Sequence, residues 1–223
     1  VVTVRMTSVA GVTISAPSSA YLVLSNGKTA AYSSGSGTLR HSYTYTIDAA
    51  DTNTAKLNVS SIYTNNGAIT WTDSSTNTAV SVSIPSGCNL SDLRTIAVDT
   101  KAPTISSVTS YSPAGSYTTD NTIFIKVQFS EAVTPSTYSG MTLTLNSGTT
   151  KTASSPTVTS AYTMLFSYTV ASGDTASPLA VSAFNPGSGT IVDGAGNSIS
   201  TTLSTTNLTG VIIDTTAPAA PTI

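Results

Sequence analysis

Residues 122–130 read Thr122-Ile123-Phe124-Ile125-Lys126-Val127-Gln128-Phe129-Ser130, and the fold follows from them. Ile123, Ile125, Val127 and Phe129 fall on one face and Lys126 and Gln128 on the other, which is the two-residue period of a half-buried strand. The same alternation runs through Met141–Leu145, Met164–Val170 with Leu165 out of phase, Leu179–Ala183 and Leu208–Ile213, each bounded by Gly, Pro, Asn, Asp or Ser. No stretch of about twelve residues carries a helical stripe, so helix should be nearly absent. Short strands at roughly ten-residue spacing with polar turns predict an all-β chain built as antiparallel sandwiches of two sheets.

Composition sets the class. The chain has 223 residues, 8 % of them charged, a net charge of -2, and one each of Cys, His and Trp. Ser and Thr make up about a third of it, so the surface is wetted by hydroxyls rather than ions. Eight Lys and Arg cannot form the clustered cations that nucleic acid requires. One cysteine makes no internal disulfide, and no apolar run approaches the roughly 18 residues of a membrane span.

The sequence repeats itself. Leu22-Val23-Leu24 matches Leu143-Thr144-Leu145, and the same offset lays Val2, Val4 and Met6 on Ile123, Ile125 and Val127. Tyr43-Thr44-Tyr45 matches Phe166-Ser167-Tyr168, followed in both copies by Asp51-Thr52 or Asp174-Thr175; Leu57 and Val59 match Leu179 and Val181. Both copies close with Asp-Thr-x-Ala-Pro, at Asp99-Thr100-Lys101-Ala102-Pro103 and Asp214-Thr215-Thr216-Ala217-Pro218. Proline fixes the backbone there and cannot donate to a central ladder, so these stretches read as links. The expected domains are 1–99, 100–214 and a link or start of a further repeat at 215–223.

With the link motif, Phe129-Ser130-Glu131-Ala132-Val133 and Gly189-Thr190-Ile191-Val192-Asp193-Gly194-Ala195-Gly196-Asn197, the chain resembles the tandem bacterial immunoglobulin-like repeats of large surface adhesins and extracellular fibres. The first copy departs from that pattern, with Ser8-Val9-Ala10-Gly11-Val12 where Phe-Ser-Glu-Ala-Val is expected. The resemblance implies two immunoglobulin-like sandwiches in tandem, a non-enzymatic role as stalk or filament building block, and an extracellular, cell-surface setting. Its partners would be neighbouring repeats or copies of the chain, or a host or surface glycan or protein, with no nucleic acid and no membrane insertion. A carbohydrate-binding or accessory region of a secreted hydrolase is the alternative.

Candidate chemistry is sparse. No cofactor is expected, with calcium as the one option: oxygen ligands suit a hard cation, and Asp99, Glu131, Asp193, Asn197 and Asp214 are the matching residues, although Ala10 stands where the first copy would need Glu131's counterpart. His41 reads as a surface strand histidine and Cys88 as a small buried or half-buried side chain, without a Gly-x-Ser-x-Gly elbow for either to serve. Trp71 and the tyrosines, Tyr43, Tyr45 and Tyr168 among them, suit a core more than a sugar platform. Members of such adhesins staple strands through a buried lysine beside an acid; Lys126 faces away from the core. Three Asn-x-Ser/Thr triplets, at Asn58, Asn89 and Asn207, match the glycosylation pattern by composition alone.

One asymmetry stands out. About twenty residues precede the Thr122 strand, whereas its counterpart in the first copy begins at Val1, so the first copy lacks an initial strand. The chain is then either a piece of a longer array or a unit completed by strand exchange, with Val1, Val2, Val4 and Met6 as the open edge and Pro218, Pro221 and Ile223 in the donor.

Overall fold

The computed structural model describes residues 1–149 and 151–219; Pro221 and Ile223 lie outside them. The chain divides into two compact units, Val1–Lys101 and Ala102–Ile223, so that the division falls within the first Asp-Thr-x-Ala-Pro link. Nearly all regular structure is β.

Unit 1 holds β1 (Val2–Ile14), β2 (Tyr21–Leu24), β3 (Thr29–Ser34), β4 (Thr38–Tyr45), β5 (Val59–Ile62) and β6 (Trp71–Asp73), in the spatial order β5-β2-β3-β4-β1-β6, and one short helix, α1 (Leu90–Leu93). β1 changes partner along its length: Val2–Thr7 pair with β4, the register slips between Thr7 and Val12, and Val12–Ile14 pair with β6. Its inward residues Val4, Val12 and Ile14 join Leu22, Leu24, Tyr43, Tyr45, Leu57 and Trp71 in one core.

Unit 2 holds β7 (Ile105–Ser110), β8 (Gly115–Tyr117), β9 (Thr122–Phe129), β10 (Thr134–Pro135), β11 (Thr142–Leu145), β12 (Thr152–Ser160), β13 (Thr163–Thr169), β14 (Thr175–Ala176), β15 (Ala180–Asn185), β16 (Ile191–Val192), β17 (Thr206–Asn207) and β18 (Val211–Asp214). Seven of them run in the order β17-β15-β11-β12-β13-β9-β7. β12 serves both halves of this sheet: Thr152 and Ala153 pair with β11, while Ser154–Ser160 pair with β13 across two register shifts. The bend coincides with Ser155 at φ 53° and with Pro156, which cannot donate to a ladder.

The alternation read from residues 122–130 is present: Ile123, Ile125, Val127 and Phe129 are buried, with Phe124 and Gln128 exposed between them. Each such apolar side chain contributes about 1.5–3 kcal/mol by leaving water. Among the described residues two pairings depart from the antiparallel expectation: β18 runs parallel to β8, Val211 opposite Gly115 and Ile213 opposite Tyr117, and an isolated bridge joins Thr104 and Ser200 in parallel.

The internal repeat is matched by pairing register. In unit 1, Val2, Val4 and Met6 face Tyr45, Tyr43 and His41; in unit 2, Ile123, Ile125 and Val127 face Tyr168, Phe166 and Met164. His41 therefore occupies the slot that Met164 fills in unit 2, and it is buried, which corrects its reading as a surface residue. Cys88 is corrected the other way: it is exposed, in the turn after Pro85.

Candidate functional site

The same polar constellation recurs in both units. At the end of β4 the Tyr45 hydroxyl donates to Asp51 Oδ2 at 2.5 Å, the Asp48 N–H donates to the same oxygen at 2.9 Å, and Lys28 Nζ lies 2.8 Å from Asp51 Oδ1. At the end of β13 the Tyr168 hydroxyl donates to Asp174 Oδ2 at 2.5 Å, the Ala171 N–H donates to it at 2.8 Å, and Lys151 Nζ lies 2.7 Å from Asp174 Oδ1. Asn26 Nδ2 donates to the Tyr45 oxygen, and Ser147 Oγ donates to that of Tyr168. Asp51 and Asp174 are both buried.

A buried carboxylate survives as an anion only when donors surround it. For Asp51 the Lys28 ammonium, the Tyr45 hydroxyl and the Asp48 N–H together pull its pKa down to about 2. For Asp174 burial pushes upward, but Lys151, Tyr168 and the Ala171 N–H outweigh it and the net direction is down. The phenols answer in kind: burial and the neighbouring carboxylate push Tyr168 up to about 12. Each constellation is a clamp that ties the lysine-bearing turn to the end of a core strand.

The link motif belongs to this clamp. The Thr100 hydroxyl donates to the Asp51 carbonyl at 2.9 Å, and the Thr215 hydroxyl donates to the Asp174 carbonyl at 3.0 Å. The preceding aspartates close matching turns, Asp99 Oδ1 accepting from the Lys101 N–H at 3.1 Å and Asp214 Oδ1 from the Thr216 N–H at 2.9 Å. Asp99 also accepts from Asn53 Nδ2. Asp-Thr is thus a latch by which each unit fastens its own exit; Ala102 and Pro103 follow the first of them, and the Pro103 carbonyl accepts from the Ser200 N–H.

Asp193 and Asn197 of the glycine-rich motif are joined to each other. Asp193 is buried after β16, its Oδ1 accepts from the N–H groups of Ala195 and Asn197, and its Oδ2 accepts from Asn197 Nδ2. Burial opposes ionisation here, and these donors hold the carboxyl below its ordinary range all the same. Glu131 brings a carboxylate oxygen within 4.8 Å of one of Asp193.

The remaining predicted residues are engaged in packing. His41 Nε2 donates to the Val12 carbonyl at 3.0 Å and its ring lies 5.6 Å from that of Trp71. Trp71, Tyr43, Tyr45 and Tyr168 are buried, which removes them from any sugar platform. The lysines found beside buried acids are Lys28 and Lys151, both missed by the sequence reading; their position at one common spacing from the Tyr and Asp of each copy was the available signal. Asn89, one of the three triplet asparagines, caps α1 with its side chain.

Of the predicted edge residues, Val4 is buried, Val2 and Met6 are half-buried, and Val1 is exposed; Pro218 is described without regular structure. No helix among the described residues is long and apolar enough to cross a membrane. Set against family models, curated proteins and solved structures, the chain matches none of them.

Proposed function

We propose that this chain is a non-enzymatic structural module of an extracellular bacterial adhesin or fibre, made of two immunoglobulin-like sandwiches in series and acting as stalk or filament building block. The observation that carries this reading is the doubled clamp and latch. In both units one buried aspartate, one lysine and the link threonine are bound to one another, Lys28, Asp51 and Thr100 in the first and Lys151, Asp174 and Thr215 in the second. A link that transmits tension benefits from an exit fastened to the core by a hydroxyl, and from a core strand fastened in turn by an ion pair. Sparse charge and abundant hydroxyls suit a surface that stays wet while packing beside like chains.

Pulling the chain between its ends in a single-molecule experiment tests the reading. Two separate unfolding events are expected, each releasing about 35 nm for some 100 residues. Thr100→Val should lower the force of one event and Thr215→Val that of the other. Forces unchanged by either substitution would remove the mechanical role.

A further inference from the structure

The units share their cross-strand registers, and at one pair beside the core they differ in kind. In unit 1 Leu22 of β2 lies opposite Ile62 of β5, and the Tyr63 N–H donates to the Tyr21 carbonyl at 3.0 Å, which sets Tyr21 and Tyr63 across from each other. In unit 2 Leu143 of β11 lies opposite Phe184 of β15, and the pair one step along is Thr142 and Asn185. Leu22 and Leu143 are both fully buried, so the core beneath is alike. Two phenols stand beside it in one unit, a hydroxyl and an amide in the other. Unit 2 builds this part of its sheet without an aromatic pair, so the fold alone does not call for one.

The Tyr21 and Tyr63 rings stack face to face, with centroids 4.1 Å apart and planes 11° from parallel. They point the same way: burial and the adjacent Tyr63 hydroxyl raise the Tyr21 pKa, so both hydroxyls lie at one end of the stack. The Tyr63 hydroxyl donates to Asn65 Oδ1 at 2.9 Å. Both residues are half-buried, which leaves their rings in touch with water. Among the described residues the other tyrosine rings in contact, those of Tyr32 and Tyr43, meet edge to face at 5.7 Å and 81°, and Tyr43 is 0 % exposed. Tyr63 follows β5, the outermost strand of its sheet among the described residues, where a ring has room to turn.

We propose that Tyr21 and Tyr63 form an oxidative coupling site, at which a one-electron oxidant of the haem-peroxidase class, supplied with hydrogen peroxide, joins the two rings as a dityrosine. Each phenol gives up one electron and one proton and becomes a phenoxyl radical. The radicals pair at ring carbons ortho to the two hydroxyls, forming one C–C bond. The hydrogen on each of those carbons then moves to the oxygen as the ring regains aromaticity, which restores both hydroxyls. The chain loses two electrons and two protons in all, and these turn one hydrogen peroxide into two waters. Coupling requires the rings to swing from stacked to edge-joined, which half-buried side chains at a sheet margin permit. The bond closes a loop of about 42 residues that contains β3, β4 and the Lys28–Asp51 clamp, and so constrains the unfolded chain of unit 1. The inference goes beyond the structural role and does not depend on it.

The test treats the full chain, at micromolar concentration, with a haem peroxidase and limiting hydrogen peroxide. The product should be a monomer lighter by two hydrogen atoms and carrying the blue fluorescence of dityrosine. Tryptic digestion should release peptides 6–28 and 57–94 joined through Tyr21 and Tyr63. Tyr21→Phe and Tyr63→Phe keep the rings and the stack but remove one phenol, so neither variant should yield the joined peptides. In the pulling experiment the unit 1 event of the oxidised chain should shorten by about 15 nm, because about 42 residues no longer extend, while the unit 2 event keeps its length. Three results would overturn the proposal: fluorescent product found only as covalent dimers through the exposed Tyr111, Tyr138 or Tyr162, joined peptides that persist in Tyr21→Phe, or oxidised monomer in which the two peptides stay separate. Loss of the two-event pattern in the untreated chain would instead remove the structural role and leave the peptide result as it is, so the two readings fail separately.

Discussion

Tyr43 shows how a single side chain can be both well packed and poorly satisfied. Its ring is fully buried opposite Val4, while its hydroxyl has no partner, and burial drives its pKa upward. An unpaired buried hydroxyl costs about 1–3 kcal/mol. Tyr43→Phe should therefore leave unit 1 as stable or up to about 1 kcal/mol more stable in urea unfolding; a loss above that would mean the hydroxyl has a partner. Gly35 is constrained from the opposite direction. At φ 108° a Cβ would sit 1.9 Å from the Arg40 carbonyl oxygen, so Gly35→Ala should cost several kcal/mol and be seen as a lowered urea midpoint. The clamp acids give a pH dependence whose sign is fixed. Asp51 titrates near 2 in the folded chain and near 3.9 unfolded, so its stabilisation is complete above about pH 4 and is lost as pH falls toward 2. Lys28→Met should flatten that acid limb, which stability curves between pH 2 and 5 would show.

At the level of elements, the strands whose apolar residues alternate were legible in the sequence, because period two and burial are the same fact for a half-covered sheet. His41 was misread as a surface residue: it is in phase with Tyr43 and Tyr45, but its polarity hid its inward position. The clamps left one trace in the sequence, the common spacing of Lys28, Tyr45 and Asp51 with Lys151, Tyr168 and Asp174; taken singly, a turn lysine looks like every other solvated charge until a fold brings the acid to it. The parallel β8–β18 pair and the division of β12 between two partners depend on non-local pairing that no local pattern encodes. Latch and clamp make a specific expectation here. Asp174→Ala should strand the Ala171 N–H and release Lys151, lowering unit 2 stability by about 2 kcal/mol while leaving unit 1 unchanged, as two resolved calorimetric transitions would report. Of the residues expected to hold calcium in unit 2, Glu131, Asp193, Asn197 and Asp214, the first two bring carboxylate oxygens within 4.8 Å of each other. Binding there would raise the melting temperature and Glu131→Gln would abolish the rise, whereas a titration giving no heat and no shift removes the ion from the account.

For the whole molecule, the shared architecture of the units matters more than any one residue. Each builds its core from the same registers and then closes itself with the same hydroxyl. Because the hydroxyl that holds the exit and the carboxylate that holds the lysine meet at a single aspartate, mechanical strain and proton concentration address one and the same weak point. An array of such units would part under gentler loads in strong acid than at neutrality.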